Sequence, residues 1–286
     1  ELLDPRRLYS PLHGRELESE LRTLLDPVAE DDLEQEMERL RQFAQGNLLR
    51  VAAADIVGAI PLMVVSDYLS EIAEVTLQRV QSSAWRDLQK KYGRPGDLGD
   101  MDTGFAVIGY GKLGGIELGY ASDLDLVFLH GSANFNAVTD GRRSVANDVF
   151  YARMGQRVIH MLTTRTPSGL LYEADMRLRP NGNSGQLVAS LNTLEKYQLN
   201  DAWTWEHQAL VRARAVAGDP VVTARFAALR HRILCLERDP AKLLADVAGM
   251  RQKMRTSLDR SNASIKNTVS TPVAAAAKRS TGEFRS

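Results

Sequence analysis

Two aspartates, Asp123 and Asp125, stand two positions apart in Ser122-Asp-Leu-Asp-Leu-Val-Phe128, where polar and apolar residues alternate. Alternation is the period of a β-strand, so both carboxylates point to one face while Leu124, Leu126 and Phe128 point to the other. Carboxylates held side by side repel each other unless positive charge sits between them. A divalent cation meets that need, and Mg2+ in particular links carboxylates to substrate phosphates. Just upstream lie five glycines within eleven positions: Gly109, Gly111, Gly114, Gly115 and Gly119. Such a turn lets backbone hug a ligand or another chain segment, and its N–H groups can receive phosphate oxygens. The residues therefore point to a metal-dependent nucleotide site.

The elements that must position these groups are readable nearby. The apolar run from Phe105 to Gly109 is expected to be a buried strand that feeds the glycine turn, and a second strand carries the aspartates. Gly109-Tyr-Gly-Lys-Leu-Gly114 fits the spacing of a dinucleotide fingerprint. That motif needs a helix after the glycines and an acid roughly 20 positions on. Here eight residues separate Gly114 from Asp123, and the next strand already begins. A Walker A loop fails as well, because Lys112 is followed by Leu113 rather than Ser or Thr. A plain hairpin with solvated aspartates is the remaining alternative, and the density of glycine argues against it.

A third strand is expected over residues 170–179. Alternation places Glu173, Asp175, Arg177 and Arg179 on one face, which is too polar for a core. Taken alone, that face could be an exposed, salt-bridged edge of little energetic worth. Beside a pair of aspartates it could equally belong to the site.

Longer strings are more specific. Tyr110-Gly-Lys-Leu-Gly-Gly-x-Glu-Leu-Gly-Tyr-x-Ser-Asp-Leu-Asp-Leu126 closely resembles glutamine synthetase adenylyltransferase. Tyr172-Glu-Ala-Asp-Met-Arg-Leu-Arg-Pro180 and Ala202-Trp-Thr-Trp-Glu-His-Gln-Ala-Leu-Val-Arg-Ala-Arg214 follow in the family's order, and the resemblance runs from about residue 3 to about residue 258. It implies an α+β fold with a nucleotidyltransferase domain like that of DNA polymerase beta, a mixed sheet flanked by helices. Members carry one half that removes AMP and one that adds it. The Leu-Gly-Tyr before the aspartates and the Trp-Thr-Trp-Glu-His string resemble the adding, C-terminal half.

The resemblance further implies transfer of AMP from ATP to a tyrosine of glutamine synthetase, with pyrophosphate released and a PII signalling protein and glutamine as regulators. Under it Asp123, Asp125 and Asp175 are the catalytic, Mg2+-binding carboxylates, with Asp175 also assisting deprotonation of the attacking hydroxyl. Gly114 and Gly115 would let backbone approach the phosphates. Lys112, Ser122, Arg177 and Arg179 complete the expected nucleotide-binding set, the arginines because planar guanidinium groups suit triphosphate charge. The loop Pro180–Gly185 could cover the nucleotide. Two other outcomes are weighed: phosphorolytic removal of AMP at the same site, and a binding fragment without turnover.

Composition sets limits on these readings. The chain has 286 residues, 44% of them hydrophobic and 25% charged, with a formal net charge of zero. It thus lacks the electrostatic footprint of a nucleic-acid or anionic-membrane binder. A single cysteine, Cys235, excludes intrachain disulfides and suits a reducing cytoplasm, and its apolar setting predicts a buried, inert thiol. The longest apolar stretch, around residues 51–65, is broken by Asp55, Gly58 and Pro61 and is too short to span a bilayer. Three regions are expected: a linker with a helical subdomain over 1–98, the catalytic domain over 99–259, and a divergent, disordered tail over 260–286. The first residue is not methionine, and the tail departs from the family after Lys266, as a truncated or frame-shifted reading of a longer protein would.

Along the chain, a helix is expected from Ala29 with Leu33, Met37, Leu40 and Phe43 on its stripe, and another from Ser66 as N-cap to just before Gly93. Later helices are expected at 144–162, from Leu191 through the tryptophan string, and after Asp219-Pro220 and Asp239-Pro240. The tryptophan string reads more readily as core than as a cofactor box. No chemistry is assigned to the N-terminal helices.

Overall fold

The computed structural model describes residues 4–134 and 136–269. The chain divides into two compact units, Glu1–Leu236 and Glu237–Ser286. The first is a mixed α+β structure. Its helical part comprises α1 (Pro5–Leu8), α2 (Gly14–Leu25), α3 (Leu33–Ile56) and α4 (Leu62–Tyr92). Asp32 caps α3 by accepting from the Gln35 N–H, and Met37, Leu40 and Phe43 are buried as their spacing predicts. The helical piece expected within residues 1–28 is α2, whose Leu17, Leu21 and Leu25 are buried against the other helices. Glu36 does more than complement the helix dipole. It is buried, ion-paired to Arg79 at 2.7 Å and accepting from the Ser83 hydroxyl at 2.5 Å, which locks α3 to α4.

α4 begins earlier than the sequence suggests. Pro61 occupies the N-cap position with φ −66°, its carbonyl accepts from the Val64 N–H, and Ser66 lies inside the helix. Proline's fixed φ is compatible with this position, although its ring offers no acceptor to the free N–H groups of the first turn. The helix ends at Gly93, where φ is +80° and an added Cβ would lie 2.2 Å from the Gly141 nitrogen.

The sheet follows. β1 (Phe105–Gly109) leads through a one-turn helix, α5 (Gly111–Gly114), to β2 (Leu124–His130), with β1 and β2 antiparallel from Phe105↔His130 to Gly109↔Leu126. After α6 (Asn147–Thr163) come β3 (Ala174–Asp175), β4 (Val188–Ser190), α7 (Leu191–Asn200), α8 (Thr204–Leu210), β5 (Arg214–Gly218) and α9 (Pro220–Leu234). The strand order is β3-β2-β1-β5, with β4 also pairing β2. β1–β5 is antiparallel, whereas β3 and β4 both run parallel to β2. β1 is buried along its whole length because helices cover it, which explains its continuous apolar run.

Three expectations change here. The third strand is two residues long rather than ten, because the chain turns at residues 177–180 once Asp175 is in register. The helix from Leu191 breaks at residues 201–203, and the end of the tryptophan string becomes β5. Leu210 and Ala213 of the same string are buried in the core, whereas Trp203 is 67% exposed. Cys235 likewise is exposed at the end of α9, with its sulfur 3.8 Å from His231 Nε2.

Asp219 ties α9 to the start of β1. Burial alone would raise its pKa, but N–H groups of Thr103, Gly104, Val221 and Val222 donate to the carboxylate and hold it below the usual range. A depressed carboxylate contributes stability above its unfolded pKa and loses it as pH falls through the folded value. Asp219→Asn, which weakens these four bonds to a charged acceptor, is expected to cost about 1–2 kcal/mol at pH 7. Urea titrations from pH 7 to 3 should show wild type and variant converging on acidification. A constant gap would contradict this account.

The second unit contains α10 (Pro240–Val269), which Asp239 opens by accepting from the Ala241 N–H at 2.9 Å. Of the divergent tail expected over 260–286, residues 270–286 lie outside the described residues. No described helix is long and apolar enough to cross a membrane.

Candidate active site

β2 places the aspartates. Leu124, Leu126 and Phe128 are fully buried, so the opposite face turns Asp125 outward, half-buried, with Asp123 exposed one residue before the strand. β3 then lies parallel to β2 in the register Asp125↔Asp175, supported by the Leu124 N–H donating to the Glu173 carbonyl at 2.9 Å. Residues paired in register across neighbouring strands project to the same face. Burial pushes the Asp125 carboxyl above its ordinary value, and the negative charges of Asp175 and Asp123 push it further, against Arg177 and Lys112. Three carboxylates thus oppose one another electrostatically at the edge of the sheet.

Asp175 is held the other way. Its carboxylate accepts from the Arg177 side chain, with Nε at 2.7 Å from Oδ2, and from the Arg177 N–H at 2.8 Å, and these bonds keep it below the usual carboxylate range. Arg179 turns away to close the next loop. It donates to the carbonyls of Met176, at 2.7 Å, and of Asn183 and Gly185. Among the described residues no three carboxylate, imidazole or thiol groups are gathered as a ready metal cluster. The donors nevertheless suit a hard cation: all are carboxylate oxygens, and the repulsion that raises Asp125 is what a divalent ion relieves. Arg177 supplies the compensating charge for Asp175.

The glycine turn packs against this group. The Tyr110 N–H donates to the Asp125 carbonyl at 2.8 Å, fixing the turn to the strand. Gly111 has φ +53°, and a Cβ there would lie 2.1 Å from Asp125 Oδ2. Gly114 has a different reason to be glycine, since its Cβ would lie 1.8 Å from the Arg212 carbonyl oxygen. Its close approach is to the protein's own backbone. Gly115 is more open, with the nearest atom to an added Cβ at 3.2 Å. Lys112 Nζ reaches toward Ser122 Oγ at 3.5 Å, and that hydroxyl accepts from the Gly119 N–H at 3.0 Å. Ile116, a β-branched residue, holds φ +56°, so the turn carries local strain.

The structure therefore brings Lys112, Ser122, Asp123, Asp125, Asp175 and Arg177 to one region and assigns Arg179 to the loop. It adds two groups that the linear motif did not mark. Gly111 is the glycine directly against the carboxylate. The Tyr120 hydroxyl donates to Asp55 at 2.9 Å, joining the far side of the turn to the end of α3. Positive φ and long-range pairing leave no periodic trace, so neither was visible beforehand. Gly111→Ala should cost about 1 kcal/mol in backbone strain and force Asp125 aside. If Asp125 holds Mg2+, as the resemblance implies, a variant that melts within about 4 °C of wild type but has lost Mg2+ affinity is the expected result; unchanged metal affinity would refute the contact.

A family model described as "Glutamate-ammonia ligase adenylyltransferase" matches residues 1–229. A bifunctional glutamine synthetase adenylyltransferase/adenylyl-removing enzyme of Thioalkalivibrio sulfidiphilus is 56% identical over 257 residues, 89% of this chain and 26% of that protein. Its counterpart in Hahella chejuensis is 55% identical over 260 residues, 90% of this chain and 27% of the relative. The Methylococcus capsulatus protein is 54% identical over 261 residues, again 90% of this chain and 28% of its own length. The chain spans about a quarter of the length of the curated relatives it matches.

Proposed function

The chain belongs to the glutamate–ammonia ligase adenylyltransferase family, and from that membership we propose that its carboxylate site serves the transfer of AMP from ATP to a tyrosine hydroxyl of glutamine synthetase. In this reading the tyrosine oxygen attacks the α-phosphorus. The bond from that phosphorus to the β-phosphate bridging oxygen breaks, and pyrophosphate leaves. The region 99–259 is the catalytic domain, a nucleotidyltransferase of the DNA polymerase beta type, and 1–98 its helical companion. Mg2+, when bound by Asp123, Asp125 and Asp175, neutralises phosphate charge and makes the attacking oxygen more acidic.

The chain's own residues do the rest. Phosphoryl-type transfer is dominated by positioning and charge neutralisation, with little covalent work for the protein. Lys112, Ser122 and the backbone at Gly114 and Gly115 orient the phosphates. Arg177 leaves Asp175 for a phosphate oxygen as the nucleotide enters, which frees Asp175 Oδ2 to take the tyrosine proton. Arg179 keeps the loop Pro180–Gly185 folded beside the nucleotide. The single observation that carries the reading is the in-register Asp125–Asp175 pair, whose charges oppose each other beside a glycine turn.

The test is direct. The chain is incubated with Mg2+, ATP labelled on the α-phosphate and unmodified glutamine synthetase, and label on the synthetase is followed. Incorporation is the expected result. ATP binding with no incorporation would replace this reading by that of a binding fragment. Loss of label from pre-adenylylated synthetase on adding phosphate would instead assign the chain to the removing direction. A PII signalling protein is the proposed regulator; it should alter the rate only where the surface it docks on is present.

A further inference from the structure

The glycine turn cannot hold its own shape. α5 is four residues long, two of them glycine, and Gly115 follows directly. A single turn fixes several dihedral angles for very few hydrogen bonds, and glycine is costly to hold in helical form. The position of the turn must therefore be imposed from outside. On its N-terminal side the anchor is the Tyr110 N–H on the Asp125 carbonyl. On its C-terminal side Tyr120 reaches Asp55 and Glu117 pairs with Arg212, and the contact on the helix itself is made by Arg214, the first residue of β5. Nε of Arg214 donates to the Gly114 carbonyl at 3.2 Å, and Nη2 donates to the Leu113 carbonyl at 3.1 Å. The Gly114 carbonyl lies past the end of the helical ladder, while the Leu113 carbonyl already accepts from the Ile116 N–H at 3.3 Å and gains a second donor from Arg214.

Arg214 is itself held. Nη2 is ion-paired with Glu74, in the middle of α4, where Ile72, Ala73 and Leu77 are buried in the core. One guanidinium thus spans a carboxylate on a rigid helix and two carbonyls of a turn that is not rigid alone. A planar fork with several donors can do this, whereas the single ammonium of lysine cannot.

We propose that Glu74 and Arg214 form a positioning tether, which holds Gly111 and Lys112 against Asp125 so that the turn is preset for a nucleotide triphosphate. The proposal rests on the adenylyl-transfer reading for the identity of the ligand, but not for the tether itself. Arg214 acts on the turn and Glu74 acts only through Arg214. The N-terminal helices then serve the site, rather than only packing beneath it.

Hydrogen exchange of the full chain, read by mass spectrometry over residues 111–118, tests the tether without any ligand. Arg214→Lys, Arg214→Gln, Glu74→Gln and the Glu74→Gln/Arg214→Gln double variant are compared, each also for affinity toward Mg·ATP. Exchange over 111–118 should rise about tenfold in each single variant, the scale of one net hydrogen bond to a charged group. Exchange in β1 and β2 should stay at the wild-type rate. Mg·ATP affinity should fall by a similar factor. The double variant should be no worse than Arg214→Gln, because partners in one network are not additive. Arg214→Lys keeps the charge, so behaviour like Arg214→Gln marks the fork geometry, while behaviour like wild type would overturn the proposal.

Wild-type protection of 111–118 in Arg214→Gln, or additive effects in the double variant, would also overturn it. Glu195→Gln, which breaks the exposed pair with Arg232, should change neither readout. Should Arg214→Gln fail to fold, Glu74→Gln, which releases the guanidinium from α4 without removing it, carries the same comparison. A wild-type chain that binds no Mg·ATP would remove the adenylyl-transfer reading, and exchange alone would then decide the tether.

Discussion

Asp125→Asn is expected to lower AMP transfer by about 10³-fold or more while leaving the protein at least as stable as wild type. In the proposed reaction the loss follows from the cation that Asp125 would hold: metal stabilisation of developing charge is worth several kcal/mol, and each 1.36 kcal/mol is tenfold in rate. The stability follows from the electrostatics. Burial, Asp175 and Asp123 all push the Asp125 carboxyl above its ordinary value. A carboxylate raised in the folded state binds its proton more tightly there than when unfolded. Its charged form therefore costs folding free energy at neutral pH, and that cost vanishes once the pH falls below the unfolded value. Asparagine has nearly the same shape and no charge, so it removes the cost.

Thermal melts at pH 7 should place the variant level with wild type or about 2–4 °C above it, with the gap closing toward pH 4. Millimolar Mg2+ should raise the wild-type midpoint and leave that of the variant unchanged. Retained transfer in Asp125→Asn would remove this residue from the site. A variant that unfolds would show that the carboxylate is structural, and the repulsion account would fall with it.

Arg41→Met is the second large effect, and here stability rather than chemistry is lost first. Arg41 has no exposed surface. Its guanidinium donates to the carbonyls of Met37 at 2.7 Å, Met161 at 3.0 Å and Gly169 at 2.9 Å, and to the Thr164 carbonyl as well. It thereby ties α3 to the end of α6 and to the hairpin that leads toward Asp175. Burial lowers its basicity, partly countered by Glu38 nearby. Methionine keeps most of the apolar stem but leaves the Met161 and Thr164 carbonyls short of a donor. At about 1–3 kcal/mol for each unsatisfied buried group, the loss should be about 3 kcal/mol or more. Urea unfolding would register it, and a change under about 0.5 kcal/mol would show that water replaces the guanidinium at no cost. Transfer should fall with temperature earlier than in wild type, because the segment carrying Asp175 is released first.

Both substitutions show where sequence and structure divide the information. Asp125 was legible because its chemistry and its element coincide. Alternation with Leu124, Leu126 and Phe128 announces a strand, and a strand face defines which carboxylates are neighbours. The helices α3, α4 and α6 were legible from apolar spacing, and α9 from Asp219-Pro220. Arg41 was not legible, although it is among the most buried side chains in the protein. A charged residue on a helix reads as solvated unless its partners are known, and all but the Met37 carbonyl lie some 120 to 130 positions away.

The same distance explains the remaining corrections. Two residues of parallel pairing at Ala174–Asp175 are too few to leave a period, so the polar run looked like a ten-residue strand. β5 was hidden inside a string that continues a helical pattern, because what makes Arg214–Gly218 a strand is the exposed edge of β1. The glycines were visible as a group, yet only the packed turn separates Gly111, which faces Asp125, from Gly114, which faces the Arg212 carbonyl.

By itself, then, the sequence determined the family, the α+β class, the two-strand frame of the site and the carboxylates Asp123 and Asp125 on it, since each depends on residues within a few positions of one another. Tertiary structure alone decided that Asp175 stands in register beside Asp125, that Glu74 reaches the glycine turn through Arg214, and that Arg41 ties α3 to the end of α6. Those relations depend on which segments meet after folding, and free energies of packing and long-range pairing, rather than local propensity, select them.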